Sequence, residues 1–195
     1  MPGLTAIQIP EEINVLTKKL EKRQPRTLLE IGTYQGGTLF LFCMAAAPDA
    51  TIISVDIPAG PEYIHGPSSD PELLANFARP GQKLHLVQGD SHKPETLLKV
   101  RELLNRQMLD FLFIDGDHTY EGVRKDFSDY AQLVRPKGLI ALHDIVWNRD
   151  RKCRVNEFWD RIKKGYRHRE IVKDRRQGWG GIGLIYQKNP AIRNQ

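Results

Sequence analysis

The run Phe111-Leu112-Phe113-Ile114 holds no polar residue and stops at Asp115-Gly116-Asp117-His118. A short unbroken apolar run is the pattern of a strand buried on both faces, as in a parallel sheet covered by helices. The charges that follow cannot lie in that core without a large desolvation cost. They are expected at the sheet's C-terminal edge, where open α/β folds keep their binding crevice.

The rest of the chain repeats this alternation of short apolar runs and amphipathic stretches. Strands are expected at 26–32, 51–57, 83–90, 109–115 and 137–145, with helices at 11–23, 37–47, 71–78, 93–107, 120–134 and 156–165. Asp70 and Pro71 stand as cap and first-turn residue of the third helix. The segments 168–174 and 180–188 follow with no helix between them, so they are expected to pair as an antiparallel hairpin. The fold class is therefore α/β, a doubly wound, seven-stranded, mostly parallel sheet closed by a C-terminal antiparallel hairpin. The Pro58–Asp70 loop, rich in proline and glycine, is longer than most connections and has the composition of a lid or binding segment.

A length of 195 residues is enough for one domain with a substantial core. No apolar run approaches the roughly 18 residues of a membrane span. The first residues lack the basic-then-apolar order of a secretion signal, and Cys43 and Cys153 match no metal or redox spacing, so a reducing cytoplasm is the expected setting. The net charge of +5 is uneven: from Ile145 onward there are 14 Lys/Arg against 5 Asp/Glu. Apolar residues at core-like spacing (Phe158, Trp159, Ile162, Ile171, Val172) interrupt this basic stretch, which favours a solvated face over a nucleic-acid or lipid site.

The first strand ends in a glycine turn, Gly32 to Gly37, that lets backbone approach a ligand at a helix N-terminus but is not the G-x-G-x-x-G dinucleotide fingerprint. Asp56 ends the second strand, where a carboxylate can accept from ribose hydroxyls. Asp90 ends the third. Any one such residue is commonly a turn or cap residue; three at successive strand ends, with the glycine turn, point to a nucleoside.

The segments LEIGTYQGG, SVDI, GDS, LFIDGDHTYEGVRKDF and LVRPKGLIALHDI, in that order and followed by a terminal hairpin, resemble a class I S-adenosylmethionine-dependent methyltransferase, which has a Rossmann-like fold. The closest likeness is to the cephalosporin-hydroxylase-like and sugar O-methyltransferase group. It covers about Arg26 to Lys188, so that 26–188 is expected to be the methyltransferase domain, with 1–25 a helical lead and 189–195 a tail. The resemblance implies that Glu30, Gly32, Thr33 and Gly36 surround the cofactor's methionine part, that Asp56 holds the ribose, and that Asp90 and Ser91 lie by the adenine.

It also implies a divalent metal, Mg²⁺ or another ion, held by Asp115, His143 and Asp144. Two carboxylates suit Mg²⁺, whereas an imidazole at His143 departs from the group's acidic pattern and suits Zn, Mn or Fe. Either His118 or Asp117 is then the base that takes a proton from the acceptor hydroxyl. The implied partner is a small hydroxylated acceptor, a sugar or related metabolite. Nucleic acid is not expected, because there is neither an RNA-binding domain nor an aromatic-rich basic stripe. The pocket is then built from the Pro58–Asp70 and Asp144–Arg154 loops, with a neighbouring subunit of a homo-oligomer as a further source. Two rivals share the acidic strand ends: a nicotinamide-dependent oxidoreductase and a non-catalytic nucleoside-binding module.

Overall fold

The computed structural model describes residues 6–57 and 71–188. The Pro58–Asp70 loop, including the Asp70 cap, and the tail from residue 189 lie outside the described residues. Seven strands form one sheet in the order β3-β2-β1-β4-β5-β7-β6: β1 Thr27–Ile31, β2 Thr51–Asp56, β3 Lys83–Gln88, β4 Leu109–Ile114, β5 Val134–His143, β6 Arg167–Ile171 and β7 Ile182–Tyr186. β1 to β5 pair in parallel, while β7 runs antiparallel between β5 and β6. The closing hairpin is present, and β7 inserts beside β5 so that β6 forms the edge.

Side chains alternate across this sheet, which divides the core in two. Leu28, Ile52, Phe111, Phe113, Leu139 and Leu184 face one layer, with α1 (Pro10–Arg23) and α2 (Gly37–Ala45). Leu29, Ile31, Leu112, Ile114, Ile140 and Ile185 face the other, with α4 (Pro94–Leu104), α5 (Tyr120–Tyr130) and α6 (Val155–Ile162). The short α3 (Pro71–Ala75) adds Leu74 to the first layer. Phe42 of α2 meets Phe111 and Phe113 edge-on at 5.3 and 5.1 Å. Such pairs add about 0.5–1.5 kcal/mol each beyond the area they bury.

α1 is a packed layer helix: Ile13, Leu16 and Leu20 lie in the same core as β1 and β4. Its first turn is also tied down, since the buried Glu12 accepts from the backbone N–H groups of Lys173 and Gly181 and from Gln177. Phe158, Trp159 and Ile171 are buried, as their spacing in the basic stretch suggested. Two cations of that stretch converge on Glu170, which accepts from Lys163 and Arg175 and also from Trp159 Nε1. Among the described residues no helix is long and apolar enough to cross a membrane.

Boundaries differ from expectation in one informative place. β5 begins at Val134, three residues before the expected start, and passes through Pro136. The register jumps from Leu109↔Val134 to Phe111↔Leu139, a bulge on the β5 side, with Lys137 at φ +65°. Proline is tolerated there because a bulge removes it from the ladder.

Candidate active site at the C-terminal sheet edge

β1 lies between β2 and β4, so the crossovers leave in opposite directions and open a crevice at the C-terminal ends of β1 and β4. Gly32 has φ +90°, and a Cβ there would lie 2.1 Å from the Asp115 carbonyl oxygen. Its glycine identity is thus demanded by the contact between two loop backbones. Gly36, at φ +79°, is the residue that precedes α2 as its N-cap, and a Cβ there would strike Leu74. Contacts within the protein by themselves favour glycine at both positions.

Behind this turn sits Glu30, only 1% exposed. Its carboxylate accepts from Thr38 Oγ1 at 2.6 Å and Ser54 Oγ at 2.7 Å, and Ser54 also pairs with Thr33. Burial, against the pull of those two hydroxyls, raises its pKa to about 8. Glu30 therefore braces the turn from behind. Asp56 accepts from the N–H of Tyr34 at 2.8 Å and of Ile57 at 2.9 Å, which fixes its carboxylate beside the turn. Each carboxylate oxygen keeps a lone-pair site for a further donor. Asp90 accepts from the His92 N–H, and the Ser91 carbonyl accepts from Tyr130 at 2.9 Å.

Across the crevice, four side chains from two segments converge, the loop after β4 and the end of β5. Asp115 Oδ1 is 3.0 Å from His143 Nδ1 and 3.3 Å from His118 Nε2. Asp144 Oδ2 is 3.8 Å from Nδ1 of both His118 and His143. Asp144 has φ +59°, a conformation costly for most residues but tolerated by Asp and Asn. Its other oxygen accepts from the Gly180 N–H at 2.7 Å. The loop after β5 is not free-standing: Val146 and Arg149 donate to the carbonyls of Gly180 and Gly178, and Arg154 donates to that of His118. Trp147 and Trp179 remain exposed beside it.

The charges in this cluster are strongly coupled. Burial disfavours an ionised Asp115, but the adjacent His143 and His118 outweigh it and hold the carboxyl below its ordinary range. Burial likewise opposes a charged His118, yet Asp115 and Asp144 raise its pKa to about 9. His118 is 45% exposed, so solvent screens part of that attraction. Asp115, His143 and Asp144 each bring a ligand atom within 4.8 Å of the others, close enough to share one cation. Their carboxylate and imidazole donors fit a divalent ion, and Gln8 and Gly180 orient the carboxylates from outside as supporting groups do at metal sites. His118, Asp144 and Cys153 also bring ligand atoms within 4.8 Å of one another, and burial, with the Asp144 charge, pushes the Cys153 thiol up to about 11.

Asp117 is used differently from His118. Its Oδ1 accepts from the Thr119 N–H, and its side chain fills the space above Gly122. Thr119 caps α5 by accepting from the Gly122 N–H. Gln8, from the segment before α1, was missed by the sequence reading; it is 8% exposed and donates to Asp115 Oδ2. A lone polar residue between Ile7 and Ile9 was its only signal.

A parallel sheet of this order, ended by an antiparallel β7 and carrying acidic residues at the ends of β2 and β4, is the class I methyltransferase fold. Residues 29–145, more than half of the chain, match the model of a family described as a methyltransferase domain. The chain belongs to that family.

Its sequence is 25% identical over 126 residues to the uncharacterized protein y4gI of Sinorhizobium fredii (strain NBRC 101917 / NGR234), which covers 62% of this chain and 13% of that protein. It is 31% identical over 119 residues to the uncharacterized protein R132 of Acanthamoeba polyphaga mimivirus, covering 60% of this chain and 51% of that protein. The match thus spans about half, or far less, of the length of these relatives.

Similar solved structures include the O-methyltransferase from Bacillus cereus in complex with SAH (TM-score 0.67, 16% identity, 94% of this chain and 84% of that one). Cofactor-bound Rv0187 from MTB gives 0.71 at 19% identity, with 96% and 84% covered. The O-methyltransferase TomG from Streptomyces achromogenes, in complex with SAM, gives 0.64 at 20% identity, with 97% and 84% covered. At these identities the likeness is one of fold.

Proposed function

We propose that this chain transfers a methyl group from S-adenosylmethionine to a hydroxyl of a small molecule, a sugar or related metabolite, with the help of a divalent cation. The observation that carries the reading is the convergence of Asp115, His118, His143 and Asp144 beside the Gly32 turn. Family membership supports methyl transfer, and the SAH- and SAM-bound O-methyltransferases of the same fold support the cofactor and the oxygen acceptor.

In this reading Asp56 accepts from the ribose hydroxyls, and Asp90 with Ser91 borders the adenine. The Gly32–Gly36 turn, with Thr33, holds the methionine part, and Glu30 stiffens that turn from behind. The cofactor supplies an electrophilic methyl on a sulfonium, so the protein's task is positioning and deprotonation. Asp115, His143 and Asp144 would hold the cation, whose chemistry is to lower the pKa of a hydroxyl bound to it and to offset the carboxylate charges.

His118 is the base, because it faces both carboxylates while the Asp117 side chain is committed to the start of α5. It removes the hydroxyl proton from its neutral form, which requires the Asp115 and Asp144 charges to be compensated first. Asp115 then keeps the imidazole turned toward the crevice through Nε2.

The test is transfer of radiolabelled methyl from S-adenosylmethionine to a panel of sugars, catechols and amines. His118→Ala is expected to lose at least about 100-fold in rate while still binding S-adenosylhomocysteine. Full activity in that variant would remove His118 as base, and labelling of amines alone would remove the oxygen direction.

A further inference from the structure

Asp126 lies on the buried face of α5 with Val123, Phe127 and Tyr130, and its side chain is 0% exposed. Neither of its carboxylate oxygens has a hydrogen bond among the described residues. Its ionic partner is His92, whose Nε2 lies 3.3 Å from Oδ1. His92 belongs to the β3–α4 loop, and its backbone N–H donates to Asp90 Oδ1 at 2.8 Å. One turn further along α5, Tyr130 donates to the Ser91 carbonyl at 2.9 Å. Asp126 also borders the neighbouring loop, since a Cβ on Gly116 would lie 3.5 Å from its Oδ2.

An ion pair with one partner fully buried is a poor device for stability, because apolar residues of similar volume often serve as well or better. Fixing one loop conformation is a better-attested use of such a pair. Here the loop so fixed carries Asp90 and Ser91, and the contact with the Asp126 carboxylate, against the effect of burial, raises the His92 pKa and favours the charged partner.

We infer that Asp126 and His92 are a positioning pair that sets the Asp90–Ser91 segment against the nucleoside of the cofactor. The inference rests on the cofactor reading above. Neither residue touches the reacting atoms; both act through Asp90 and the Ser91 backbone.

Titration calorimetry of the full chain with S-adenosylhomocysteine compares the wild type with Asp126→Asn, His92→Gln and the double variant. Each single change is expected to weaken binding about tenfold, with the double no weaker than the worse single, since contacting residues in one pair act as a unit. With an acceptor in hand, KM for S-adenosylmethionine rises while kcat holds, a split that general loosening of the fold would not give. Thermal melts identify the folded variants, and His92→Gln, on a part-exposed loop side chain, carries the test if Asp126→Asn does not fold. Wild-type affinity in a folded single variant, or additive losses in the double, would overturn the pair. Failure of the wild type to bind at all would instead overturn the cofactor reading.

Discussion

The Gln8 amide donates to Asp115 Oδ2 at 2.7 Å, joining two residues 107 positions apart. The segment before α1 thus reaches over the sheet edge and orients the carboxylate at the centre of the cluster. Outer partners of metal ligands commonly alter metal affinity by 10–100-fold when removed. Gln8→Ala is therefore expected to weaken Mn²⁺ binding about tenfold in calorimetry while lowering stability by no more than about 1.5 kcal/mol. Unchanged Mn²⁺ affinity would show that Asp115 needs no such support.

Gly32→Ala is expected to be severe, because its Cβ would overlap the Asp115 carbonyl and φ is +90°. A loss of about 3 kcal/mol or more is expected, which is roughly a 10 °C fall in Tm for a chain of this size. Gly165→Ala is the control, since a Cβ there meets nothing within 4 Å. Equal melting temperatures for the two variants would refute the backbone contact.

The buried Glu30 makes stability depend on pH. Its native pKa is raised to about 8 from an ordinary 4.5, so between those values the unfolded chain loses the proton while the native protein keeps it. That contribution is fully present below pH 4.5, falls as pH rises toward 8, and then levels off. Glu30→Gln keeps the shape without the proton. Urea unfolding at pH 5 and pH 8 is expected to show a smaller drop in the variant, by on the order of a few kcal/mol. The same slope in both proteins would mean that Glu30 is ionised in its pocket.

Asp144 combines a left-handed backbone with a hydrogen bond from Gly180. Asn satisfies both demands and Ala neither. Asp144→Asn is expected within about 1 kcal/mol of wild type in urea unfolding, and Asp144→Ala about 2 kcal/mol below it. Only the Ala variant removes the ligand oxygen altogether, so Mn²⁺ binding should be lost there. Equal stability of Asn and Ala would leave the strained backbone unexplained.

The elements whose burial is uniform were readable from sequence. The 111–114 run is buried on both faces as its composition demands, and the missing helix between 174 and 180 marked the final hairpin. Acidic residues at the ends of β2 and β4 were legible because a core cannot hold them. Contacts between distant segments were not, because no local pattern records them: Gln8 with Asp115, or Glu12 with Gly181. Asp126 did leave a trace, a charge at helical spacing among Val123, Phe127 and Tyr130, but its partner His92 comes from another loop. β5 was placed three residues too late, starting just after Pro136, whereas a bulge accommodates that proline within the strand.

The most direct measurement is titration of the metal-stripped protein with S-adenosylhomocysteine and, separately, with NADH. Binding of S-adenosylhomocysteine, weakened by Asp56→Ala, with no heat from NADH, is the expected result. Binding of NADH without S-adenosylhomocysteine would contradict the account, because Asp56 would then serve the ribose of a dinucleotide at the same sheet edge.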